Sequence, residues 1–96
     1  MSRLTKDYRA SLLQDLQDPA EAAAYLTAAL EEGESAVFLV ALRDVADARG
    51  MSTLAAQAQL NRENLYRMLS DEGNPQLDSL TALLDALDLR LAVAVK

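Results

Sequence analysis

The chain contains no cysteine, no histidine and no tryptophan. Without thiols or imidazoles it can form no disulfide and no cysteine- or histidine-assisted nucleophile, and it lacks the usual nitrogen and sulfur ligands of zinc and iron. Most enzyme mechanisms are thereby removed, and no two carboxylates are grouped in an apolar stretch as an acid–base pair would require. Neither catalysis nor a metal or cofactor is expected. Aromatic residues make up 4% of the chain, with three glycines and two prolines, so the punctuation of a sheet-rich fold is scarce. The longest apolar run, AVFLVAL at residues 36–42, is far short of the ~20 residues a membrane helix needs. The first residues show no apolar core of a signal peptide, so a cytoplasmic location away from membranes is expected. Cationic residues are also in short supply: nine Lys and Arg stand against fifteen Asp and Glu, a formal charge of −6.

What the chain does have is alanine and leucine, within a 51% hydrophobic composition that favours helices. Ninety-six residues suit one domain. Tyr8, Leu12 and Leu16 recur at helical spacing after Thr5, a candidate N-cap. The stretch DPAE at residues 18–21 reads as an Asp cap followed by Pro at the first helical position, and the Ala-rich helix it opens stops at Gly33. Ser35 is placed to cap a third helix with Phe38, Ala41, Leu42 and Val45 inward and Arg43, Asp44 and Asp47 toward water, closing at Gly50. Ser52 and Asn61 are candidate caps of two shorter helices, and DEGNP at residues 71–75 is a turn cluster. Leu80, Leu83, Leu84 and Leu87 mark a last helix. Tyr8 and Tyr25 are expected at the edge of the core. Residues 89–96, LRLAVAVK, change period: Leu89, Leu91, Val93 and Val95 alternate with Arg90, Ala92, Ala94 and Lys96, as on a half-buried strand. A lone strand leaves its backbone unpaired, so the same strand of a second copy is its natural partner.

The stretch STLAAQAQLNRENLYRML, residues 52–69, has the spacing of two short helices packed at a sharp turn, an arrangement that places the second helix in the major groove of DNA. Ala55 is the small residue at the close approach, and Leu54, Ala58, Leu60, Leu65 and Met68 fall at inward positions. The turn position with left-handed backbone, commonly Gly, is Gln59, a substitution that costs on the order of 1 kcal/mol. With Leu65, Met68 and Leu69 inward, Glu63, Tyr66, Arg67 and Ser70 face outward, and Asn61 and Arg62 lead the helix. Arg62 or Arg67 can read guanine, Glu63 can accept from cytosine, and Tyr66 can touch phosphate or a thymine methyl. The competing reading is that Glu63 and Arg67, spaced i and i+4, pair with each other on a solvated helix.

Three stretches, DPAEAAAYLTAALEEG, ALRDVADARGMSTLAAQAQLNRENLYRMLS and GNPQLDSLTALLDALDLRL, together resemble the addiction-module antidote proteins, HigA-like antitoxins with a helix-turn-helix of the lambda-repressor class. The resemblance runs from about Tyr8 to Leu91, and its specific marks are the Tyr-Leu after the Asp-Pro start, the Leu-Tyr of the second motif helix and the Gly-Asn-Pro turn. It implies a regulator that represses its own operon as a homodimer on a palindromic operator and neutralises a small RelE/HigB-like ribonuclease toxin. By position it implies base reading by Asn61, Arg62, Glu63, Tyr66 and Arg67, and phosphate contacts by Ser52, Thr53 and Gln57. The expected fold is all-α: a lambda-repressor-like helix-turn-helix bundle of five to six helices with a short C-terminal β-strand able to pair across a dimer. Within this single domain, residues 1–33 form a helical extension, 34–88 the DNA-binding core and 89–96 the strand.

Charge is unevenly placed. Residues 1–18 and 49–75 are each neutral, 19–48 carry −5 and 76–96 carry −1. A neutral face bearing Arg49, Arg62 and Arg67 can approach DNA while the acidic side points away, since charges are screened over about 8 Å at physiological salt. Glu31, Glu32 and Glu34, with Asp44 and Asp47, are candidates for a surface complementary to a basic toxin, or simply for solubility. Two further readings remain open, a phage-type repressor without a protein target and a protein-interaction module without DNA binding.

Overall fold

The computed structural model describes residues 2–70 and 72–96, with side chains from Asp7 onward, so the side chain of Thr5 and all of Asp71 lie outside the described residues. Six helices follow one another among these residues: α1 (Ser2–Asp15), α2 (Pro19–Glu31), α3 (Ser35–Arg49), α4 (Met51–Ala58), α5 (Arg62–Met68) and α6 (Leu77–Ala86). Since α1 begins at Ser2, Thr5 lies inside the helix and is not its cap.

Local chemistry explains several of the boundaries. The Asp18 carboxylate accepts from the Ala20 amide at 3.2 Å and Pro19 sets the first helical φ, which starts α2. Asn61 caps α5 by accepting from the Glu63 and Asn64 amides at 2.8 and 3.3 Å. Ser35 and Ser52, expected as caps, are already inside their helices; the cap positions are Glu34 and Gly50, without a side-chain cap bond. Between α4 and α5, Gln59 has the left-handed backbone expected of that turn, φ 58° and ψ 41°. The Leu60 amide donates back to the Ala55 carbonyl at 2.8 Å, which closes α4 in a Schellman turn. Gln59→Gly is expected to raise stability by about 1 kcal/mol in equilibrium denaturation, because glycine occupies this conformation without steric cost; a loss of stability would show that the Gln59 side chain supports the turn. Past α5 the chain folds back tightly, so that a Cβ at Gly73 would run into the Met68 carbonyl and stand 3.0 Å from that of Ser70.

One core joins these helices. Leu42 and Val45 of α3, Leu54 of α4, Leu65 of α5 with Leu69 just beyond it, and Leu83 of α6 are essentially without solvent contact, and Leu16, Ala22 and Leu26 cluster with them. Beside the core runs a polar network. The Tyr25 hydroxyl donates to Asp44 Oδ2 at 2.6 Å, Arg9 donates to Asp44 Oδ1 at 2.9 Å and to Asp47 Oδ2 at 2.8 Å, and Arg43 Nε donates to Asp47 Oδ1 at 3.1 Å. Burial, with the hydrogen bond to Asp44, pushes the Tyr25 hydroxyl up to about 12. An unfolded tyrosine releases its proton near pH ~10. Stability from this raised value is therefore fully present below about pH 10 and is lost as the pH rises toward 12. Tyr25→Phe should flatten the alkaline limb of a stability–pH curve; an unchanged limb would show that the hydroxyl is not its source.

Three expectations are corrected. First, residues 89–96 form no strand, and no strand occurs among the described residues. The physical reason is that a single copy offers these residues no sheet edge with which to pair. Leu89 packs half-buried against the core, Leu91 is 44% exposed, and Val93 and Val95 are wholly exposed. Second, Asp44 does not face water: only 9% of the residue is accessible, and its two oxygens are occupied by Arg9 and Tyr25. Third, Tyr8 is 65% exposed, while Leu16 of the same stripe is buried.

Candidate nucleic-acid interface

The short α5 is mounted on the bundle by its inward residues. Seven residues are too few for a helix to persist alone, so α5 depends on Leu65 and Leu69 in the core and on its Asn61 cap. That mounting leaves Asn61, Arg62, Glu63, Asn64 and Arg67 exposed along the outer side. No ion pair joins Glu63 to Arg67 among the described residues, and no carboxylate among them pairs with Arg62 or Arg67. Arg62 Nη2 donates to the Tyr66 hydroxyl at 3.4 Å, and the charged groups of this edge are otherwise free of side-chain partners among the described residues. Asn61 differs from the rest, since its side-chain oxygen is engaged in the cap and only its amide nitrogen can reach outward.

Tyr66 is half-buried and packs against the core instead of standing free. Two guanidinium groups approach its ring, Arg43 of α3 at 4.8 Å and Arg62 at 5.6 Å from the ring centre. A cation over an aromatic face is held by the ring quadrupole. Arg43 is held in turn by Asp47, so these contacts link the outer edge of α5 to the Arg9–Asp44–Tyr25 network. Nothing in the sequence points to Arg43 as a neighbour of Tyr66, because the contact is made between helices. Asn64 is a further addition to the site, although one 100° step from Leu65 places it on the flank of α5. It opens onto a polar groove of about 560 Å³ between α5 and the start of α6, where Arg67, Ser70, Gln76 and Ser79 also lie.

On α4, Ser52, Thr53 and Gln57 are exposed. Arg49, expected on the reading face, is otherwise engaged: it donates to the Ala86 carbonyl at 2.8 Å and lies 3.6 Å from Asp88, clamping the end of α3 to the end of α6. A cation there meets the unpaired carbonyls of a helix C-terminus, a favourable place for it. Glu31, Glu32 and Glu34 are exposed at the junction of α2 and α3 and enter no ion pair among the described residues. Asp44 and Asp47 do not extend that surface, because Arg9, Arg43 and Tyr25 occupy their oxygens.

These observations define an all-helical protein that presents a short cationic helix at a two-helix corner, with unpaired acidic residues on a different pair of helices. The family described as "Probable addiction module antidote protein" matches residues 7–95, and the chain belongs to it. A protein of Haemophilus influenzae, described as uncharacterized, is 36% identical over 93 residues, which span 97% of this chain and 94% of that relative. No solved structure matches the chain significantly. Antidotes of addiction modules are the antitoxins of toxin–antitoxin pairs, so membership assigns this chain a toxin partner in general terms. No helix among the described residues is long and apolar enough to cross a membrane.

Proposed function

We propose that the protein is a DNA-binding antitoxin that represses its own operon as a homodimer on a palindromic operator and neutralises a small basic RelE/HigB-like ribonuclease. The observation that carries the DNA-binding half is the outer edge of α5, where Arg62, Glu63, Asn64 and Arg67 stand exposed while Leu65 and Leu69 hold the helix in place. Arginine forks suit guanine, and carboxylate and amide groups suit cytosine and adenine, so this edge carries base-reading chemistry. The Arg43–Tyr66–Arg62 stack limits the freedom of Arg62 before DNA arrives and thereby lowers the entropy lost on binding. Ser52, Thr53 and Gln57 supply neutral phosphate contacts from α4. The toxin-binding half rests on family membership and on Glu31, Glu32 and Glu34, whose unpaired charges favour a basic partner.

A mobility shift with the DNA upstream of the chain's own gene tests the reading. Binding is expected with a shallow salt dependence, because each phosphate neutralised contributes a slope of only about −0.9 in log K against log salt and few cations are present to neutralise them. Absence of a shift even at low salt would leave only the toxin-neutralising half.

A further inference from the structure

Two exposed apolar features have no role in the reading above. One is a groove of about 550 Å³ between α2 and α3, whose walls include Tyr25, Ala28, Ala29, Val37 and Val40, with Glu32 at its rim. Val40 is half exposed there. The other is the segment beyond Leu89, in which Leu91, Val93 and Val95 alternate with smaller or charged residues and the two valines are wholly exposed.

The two features match in length, polarity and charge. In an extended chain, side chains two residues apart lie ~6.7 Å from each other, so Leu91, Val93 and Val95 span about 13 Å along one side. The α2 wall of the groove, from Tyr25 to Glu32, rises about 10 Å at ~1.5 Å per residue. Alternation turns all three apolar side chains to one side, as a one-sided groove requires. Glu32, the carboxylate that lines the groove, and Lys96 at the end of the segment enter no ion pair among the described residues. Within one copy the segment starts elsewhere: Leu89, Arg90, Leu91 and Ala92 lie beside Ala23, Leu26, Thr27 and Leu30, on the opposite flank of α2 from the groove.

We infer that the α2–α3 groove receives residues 91–96 of a second copy, with Leu91 and Ala92 leaving the flank of α2 they occupy within one copy, and that the exchange is reciprocal, closing a two-fold dimer. The inference rests on the homodimer of the proposed function and names the surface that makes it. In this arrangement each copy covers the other's groove, Lys96 meets Glu32 while Glu31 and Glu34 stay available to a toxin, and no sheet is needed.

Light scattering and sedimentation equilibrium on the full chain test this. The groove variant Val40→Glu and the segment variant Val93→Asp/Val95→Asp both change exposed positions, and circular dichroism checks that the helices persist. The unaltered chain is expected to be a dimer, and each variant should weaken dimerisation at least about tenfold, as loss of one buried valine side chain implies. Glu32→Lys should weaken it too, and Glu32→Lys combined with Lys96→Glu should restore it. A chain that is monomeric throughout overturns the inference. So does a dimer lost in the segment variant but indifferent to Val40→Glu, which would mean that the segments pair with each other. So does a dimer lost on Val40→Glu but kept in the segment variant, which would mean that another face fills the groove. The mass measurement is independent of the mobility shift: a dimer with the expected variant pattern that binds no operator would remove the DNA-binding reading and leave this inference standing.

Discussion

Arg62→Ala combined with Arg67→Ala is expected to weaken binding to the operator by ~30- to 900-fold while leaving the fold intact. Each arginine that reads a guanine through its fork of donors contributes about 1–3 kcal/mol of discrimination, and we take ~1–2 kcal/mol for each, since the two share one helix and their losses need not add. Both side chains are exposed and neither is paired with a carboxylate among the described residues, so their removal leaves no buried group unsatisfied. The Arg62 substitution also removes one of the two guanidinium groups beside the Tyr66 ring, but Arg43 remains at 4.8 Å. Fluorescence anisotropy with operator and scrambled duplexes separates base reading from charge. A loss confined to the operator would support reading of base edges, and an equal loss on both would reduce the arginines to phosphate contacts. Unchanged operator affinity would remove α5 as the reading element.

Leu65→Ala is expected to destabilise the protein by about 2–5 kcal/mol, the usual range for truncating a fully buried leucine. The effect should fall in the upper part of that range. Leu65 has no solvent contact, and α5 is a seven-residue helix whose stability comes from packing and its cap. Domains of this size have only about 5–15 kcal/mol of net stability, so a large share would be lost. Urea denaturation measures the change, and hydrogen exchange at the α5 amides tells whether the helix detaches before the bundle opens. Operator binding should fall with it even though Leu65 faces away from the exposed edge of α5, because the arginines are then no longer presented by a rigid helix. A cost below about 1 kcal/mol would mean that the site collapses around the deletion and that α5 is held by its cap and by Tyr66 instead.

Features governed by near neighbours in the chain are legible from the residues alone. Asp18 and Pro19 announce the start of α2, Asn61 that of α5, and Leu80, Leu83, Leu84 and Leu87 the inward stripe of α6, because caps and helical periodicity act over a few residues. Gln59 is legible as the left-handed turn position for the same reason, and its φ of 58° agrees. The outward set of α5 follows from a 100° step, except that Tyr66 and Ser70 are half-buried. The family resemblance is carried by such short-range marks, and residues 7–95 match that family.

What periodicity leaves open is the partner across the chain. Asp44 sits on a charged stretch of α3 that reads as facing water, yet Arg9, 35 positions away, closes over it together with Tyr25. Arg49 reads as a residue facing DNA and instead reaches a carbonyl of α6, 37 positions away. Arg43 joins the candidate site only because its side chain reaches from α3 to the Tyr66 ring. Alternation in residues 89–96 shows which side chains share a side, but whether that side pairs, packs or stays bare depends on which surface lies opposite, and a single copy places none there. Local rules set the helices and their outward chemistry, because backbone and cap energies depend on adjacent residues; packing among helices chose which charges are occupied and which remain available, because those energies depend on contacts between residues far apart in the chain.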